Sequence, residues 1–147
     1  MTGSTVQPDA AVTADDRQFL ERFEDCTLTE VEWTHLAHIR VAWVCHALGP
    51  ADAALARIRS GILRFNTNVL GRPEMYHETV TVAFTCLVAE RRRVGEAWES
   101  FATRIDDFLD RKSPVLLRYY SADRLFSDEA RARFVDPDLA ELPADGC

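Results

Sequence analysis

Apolar residues recur along this chain at three- and four-residue intervals, and nowhere do they alternate over a sustained stretch, so the pattern predicts helices and no strands. The first helix is expected to be capped by Thr13 and to run to Glu24. Asp15 and Asp16 would sit in its first turn, with Phe19, Leu20 and Phe23 as its buried stripe. A second begins at Thr29, where Thr-Glu-Val-Glu has the spacing of a capping box, and stops at Gly49-Pro50. Val31, Trp33, Leu36, Ala37, Ile39, Val41, Ala42, Trp43, Val44 and Leu48 cover nearly its whole circumference, as in a helix packed from all sides.

Leu55, Ile58, Ile62 and Phe65 mark a third helix over 51–67, with Arg57 and Arg64 outward; Gly61 within it hints at a bend or a close helix approach. Gly71-Arg72-Pro73 is a loop. A fourth helix runs from about Glu74 to Arg93 with Tyr76, Val80, Ala83, Phe84 and Leu87 inward, and a fifth spans about 96–111 with Trp98, Phe101, Ile105 and Leu109 inward. Ser113-Pro114 starts a short helix through Tyr120, and Ser127-Asp128-Glu129 starts another. The fold class that follows is all-α: one single-domain helical bundle over 14–143, four longer helices plus short C-terminal ones. Residues 1–13 form a mobile lead-in and 144–147 a tail.

A chain of 147 residues suffices for one hydrophobic core. Its formal charge of −7 argues against a nucleic-acid partner, since that affinity rests on neutralising phosphates. Arg91-Arg92-Arg93, the one basic run, is explained by the negative end of a helix dipole. No stretch is long and apolar enough for a membrane span, and no signal peptide opens the chain, so the expected location is the cytoplasm. The four cysteines form no CxxC pair and are expected reduced, Cys45 and Cys86 as buried thiols.

The chemistry concentrates in Glu32-Trp33-Thr34-His35-Leu36-Ala37-His38. His35 and His38 are spaced i, i+3 on one helix face and could share one ion; Glu32 is a third ligand, a second-shell acceptor or simply the cap carboxylate. His46 lies too far along the axis to join them. His77, in Tyr-His-Glu-Thr, is the remaining imidazole, placed to complete a bundle-core site from another helix. Three imidazoles and a carboxylate suit Zn²⁺, Fe²⁺, Ni²⁺ or Cu²⁺ with an open position for a small-molecule substrate. Tyr76 would be the proton donor and Glu78 an assisting carboxylate. Asn66, Arg72, Tyr119 and Tyr120 could complete a pocket, and Cys26 is a candidate nucleophile. The competing reading is a non-catalytic interaction or ligand-binding module in which the histidines are structural, hydrogen-bonded to Glu32, Thr34 or main chain.

The phrases Phe23-Glu24-Asp25-Cys26-Thr27-Leu28, Glu32 to His38, Tyr76-His77-Glu78-Thr79, Leu117 to Ser121 and Phe134 to Leu139 occur in order over about residues 19–143. In these the chain resembles a family of small, uncharacterised bacterial all-helical proteins, a resemblance that implies the fold and no activity. A more distant likeness is to DinB-type metal-binding helical bundles, which gather histidines from different helices; spacing and length differ here, and the comparison is by analogy only.

Overall fold

Thr13 opens the helical fold as its hydroxyl predicts. In the computed structural model, which describes residues 8–143, Thr13 Oγ1 accepts from the N–H of Asp16 at 3.1 Å, and the Asp16 carboxylate accepts from the N–H of Thr13 at 2.9 Å. This reciprocal box starts α1 (Ala14–Glu24). The second helix, α2 (His35–Leu48), begins later than its sequence suggests, with Thr34 as cap: Thr34 Oγ1 accepts from the N–H of Ala37 at 3.1 Å. The Thr29–Glu32 box does form, through Thr29 N–H to Glu32 Oε1 at 2.9 Å and Glu32 N–H to Thr29 Oγ1 at 3.2 Å. It closes a turn instead of a helix. Glu32 is drawn to Arg22 of α1, and Trp33 stacks on Phe23 with ring centroids 4.8 Å apart.

Helix α3 (Ala51–Phe65) widens into one π-helical turn over Asn66–Leu70, closed by Gly71 at φ +63°. There a side chain would be strained, and the Gly71 N–H reaches back to the Asn66 carbonyl. Helix α4 (Glu78–Arg91) follows a 3₁₀ turn at Pro73–Met75. The expected fifth helix is broken into α5 (Trp98–Ala102) and α6 (Asp106–Leu109). At the break both the N–H and the Oγ1 of Thr103 bond the Ser100 carbonyl, and Ile105 leaves the helical region at φ −123°, ψ 27°. Phe108 is buried and Leu109 only half-buried. The helix expected from Ser113 shrinks to a 3₁₀ turn over Val115–Arg118, followed by α7 (Ala122–Leu125) and α8 (Asp128–Ala132), capped by Ser121 and Ser127.

The class is therefore all-α, with no strand among the described residues. Helix α2 packs against α1, α3 and α4; its Val41, Trp43 and Val44 are wholly enclosed, while Val31 and Leu36, expected inside, are exposed. No helix among the described residues is long and apolar enough to cross a membrane. The arginine run is an anchor: Arg91 pairs with Asp107 at 2.6 Å and Arg92 with Asp9 at 2.8 Å. Asp9 lies inside the expected lead-in, yet it is buried, and its N–H donates to the Ala47 carbonyl at 2.8 Å. Residues 1–7 of that lead-in and the tail 144–147 lie outside the described residues. Cys45 is a buried free thiol as expected, whereas Cys86 is disulfide-bonded.

Candidate functional site

His35 and His38 occupy the first turn of α2, and each has one ring nitrogen committed to a backbone carbonyl. His35 Nε2 lies 2.9 Å from Phe108 O, and His38 Nδ1 lies 2.7 Å from Thr34 O. A carbonyl oxygen only accepts, so these nitrogens carry the protons. In the neutral form each ring is then left with one lone pair, on His35 Nδ1 and His38 Nε2. Neither of those two atoms has a partner among the described residues. Trp33 lies against the His38 ring, centroids 3.7 Å apart, and Phe84 meets the His35 ring edge-on at 5.2 Å. Burial pushes the His38 pKa down to about 4, so this imidazole is neutral at pH 7.

The other expected ligands are engaged elsewhere. His77 is the N-cap of α4: its Nδ1 accepts from the N–H of Val80 at 3.2 Å, and its Nε2 donates to the Leu125 carbonyl at 2.8 Å. Both ring nitrogens are spent, and burial holds its pKa below the ordinary histidine value. Glu32 takes a bidentate pair from Arg22, at 3.0 and 2.9 Å, in an exposed turn. That guanidinium, with the Thr29 N–H, holds the Glu32 carboxyl well below the usual range. Among the described residues no three His, Cys, Asp or Glu side chains are grouped to hold a metal ion. The set His35, His38, His77 and Glu32 is thus not brought together.

Glu78 and Tyr76 do meet. The Tyr76 hydroxyl donates to Glu78 Oε1, and Arg59 of α3 clamps the same carboxylate at 3.0 and 2.6 Å. Burial works to raise the Glu78 pKa, but Arg59 and Tyr76 outweigh it and keep the group ionised. Burial and this carboxylate push the Tyr76 hydroxyl up to about 12, the reverse of what a proton donor at neutral pH needs. The three side chains form a closed ion-pair network tying α3 to the start of α4.

What His35 and His38 do border is a cavity of about 80 Å³ between α2, α3 and α4. From α2 it takes His35, His38, Ile39 and Ala42, and from α3 Ile58 and Ile62. Helix α4 adds Val80, Phe84 and Val88 along one row and Thr81 and Thr85 beside it. The wall formed by His35, Val80 and Phe84 is shared with an open groove of about 370 Å³, which continues over Phe108, Leu116 and Phe126. Sequence reasoning placed Val80 and Phe84 in a generic core stripe and passed over Thr81 and Thr85. Two threonines one turn apart within an apolar row were the signal.

Of the remaining candidates, Asn66, Arg72, Tyr119, Tyr120 and Tyr76 do not line this cavity. Tyr120 is a core residue whose hydroxyl donates to the Val135 carbonyl at 2.8 Å. Cys26 adopts φ +63° and its Sγ lies 4.0 Å from Asn68 Nδ2, with no bond to a histidine. Comparison with protein-family models, with curated proteins and with solved structures finds no match to this chain.

Proposed function

We propose that the protein is a binding module for a small, largely apolar molecule held between α2, α3 and α4, with its histidines serving as wall and scaffold. The observation that carries this reading is the cavity itself, apolar on all three helices and bordered by imidazoles that the fold has already oriented. Metal-dependent chemistry on Zn²⁺, Fe²⁺, Ni²⁺ or Cu²⁺ would need the His77 Nδ1 that caps α4. Without it His35 and His38 offer two lone pairs, short of the three protein ligands of a catalytic site.

The test uses xenon, which enters apolar cavities. Under xenon pressure the methyl resonances of Ile39, Ile58, Ile62 and Val88 should shift together, and Ala42→Val, which fills the space, should abolish the effect. Unmoved methyls in the unaltered chain would overturn the reading, as would a stoichiometric zinc site lost in both His35→Ala and His77→Ala.

A further inference from the structure

Four polar side chains line the cavity, and each has its proton committed to a backbone carbonyl. His35 Nε2 donates to Phe108 O and His38 Nδ1 to Thr34 O. Thr81 Oγ1 donates to His77 O at 2.9 Å and Thr85 Oγ1 to Thr81 O at 2.7 Å. A hydroxyl or imidazole that has spent its only proton presents lone pairs and nothing else. The polar side-chain atoms around this space are therefore acceptors, contributed by α2 on one side and α4 on the other.

Resting on the binding reading above, we infer that the ligand class is an uncharged hydrogen-bond donor on a compact branched apolar body, an alcohol of about four carbons being the simplest member. The donor is required because an acceptor-only lining meets no lone pair on the ligand. An anion finds neither cation nor N–H donor among the lining side chains. A buried cation finds no carboxylate among the lining residues. The compact body follows from the volume, about 80 Å³, well below the roughly 150 Å³ that accommodates benzene; a four-carbon alcohol is about as large as benzene and is seated with part of its chain outside, on the side of the exposed His35. Burial that keeps His38 neutral at pH 7 supports the same polarity.

The experiment is a methyl-detected NMR titration of the full chain at pH 7 with four near-isosteric probes: isobutanol, isopentane, isobutyrate and protonated isobutylamine. Isobutanol should bind up to about threefold more tightly than isopentane, the net of one neutral hydrogen bond over the methyl that its hydroxyl replaces. Isobutyrate and isobutylamine should leave the Ile39, Ile58 and Ile62 methyls unmoved. His38→Phe, which keeps a ring against Trp33 but removes one of the four acceptors, should lower the preference for isobutanol over isopentane. The four-probe series on the unaltered chain decides the matter if that variant does not fold. Equal binding of isopentane and isobutanol, or tighter binding of either ion, would overturn the donor class while leaving the cavity reading intact. Binding of none of the four, together with silence under xenon, would sink both.

Discussion

The ring of Phe23 fills the space where a side chain on Gly61 would stand: a Cβ built there lies 2.3 Å from Phe23 Cε2 and 2.6 Å from Cζ. The ring has little room to yield, being 1% exposed and packed between Trp33 and Phe65, with centroids at 4.8 and 6.1 Å. Trp33 in turn lies against His38. The close approach of α1 to α3 is thus the first member of a stack that ends at the cavity.

Gly61→Ala should therefore destabilise the protein despite a gain in helix propensity of about 1 kcal/mol. Overpacking of a rigid core costs about 1–3 kcal/mol, and the net expectation is a lowered urea midpoint with an unchanged slope. Restoring the midpoint with Phe23→Leu in the same chain would place the cost in this contact. A stabilised single variant would show that the ring moves freely.

His77 joins two elements distant in sequence, and its two bonds separate by substitution. His77→Asn keeps a side-chain acceptor at the cap and gives up the bond to Leu125; His77→Ala gives up both. Loss of a cap costs about 1 kcal/mol, and an orphaned buried carbonyl about 1–3 kcal/mol. The alanine variant should thus unfold at lower urea than the asparagine variant, and both below the unaltered chain. Equal stability of all three would refute the clamp.

Asp9 accepts from the N–H groups of Ala11 at 3.0 Å and Gly95 at 3.0 Å and from Arg92 at 2.8 Å, all on a nearly buried carboxylate. These partners, the Ala11 N–H first, hold its pKa below the usual carboxylate value against the opposing effect of burial. Asp9→Ala leaves the largely buried Arg92 unpaired, which by the rule for broken buried pairs costs about 3 kcal/mol. The double variant Asp9→Ala with Arg92→Ala should recover part of that loss. Additive losses in the cycle would mean that the two side chains do not act as a pair.

The helical class and the central place of α2 were legible because they follow from periodicity, which tertiary contacts here reinforce. Thr13 was legible because cap and box lie within four residues. The start of α2 was not. The Thr29–Glu32 bonds form as their spacing demands, but Arg22 and Phe23, from another helix, compete for Glu32 and Trp33 and end the turn there. His77 misled for a related reason. A histidine is not among the usual cap residues, so Tyr-His-Glu-Thr reads as chemistry until Val80 and Leu125 are seen to occupy both nitrogens. The acceptor-only lining was hidden because it depends on the hydrogen-bond direction of four side chains, and residue types carry no such direction.

Burial of the imidazoles sets the response to acid. Burial pushes the pKa values of His38 and His46 down to about 4 and holds that of His77 below its ordinary 6.5. A histidine whose folded pKa is depressed binds protons more readily when unfolded, so its share of stability is intact above about pH 6.5. It drains as pH falls and is gone below about 4. The anchoring carboxylates Asp9 and Asp16, lowered from 3.8, join only at the acid end of that range. The melting temperature should then fall in two limbs, the first between pH 6.5 and 4 and owed to imidazoles, about 3 kcal/mol for a shift the size of that at His46. His46 offers the sharper variant, because its buried Nε2 has no partner. His46→Met should leave stability at pH 7 nearly unchanged or raised and flatten the first limb. A limb of undiminished slope in that variant, measured by thermal unfolding from pH 8 to 4, would remove His46 from the account.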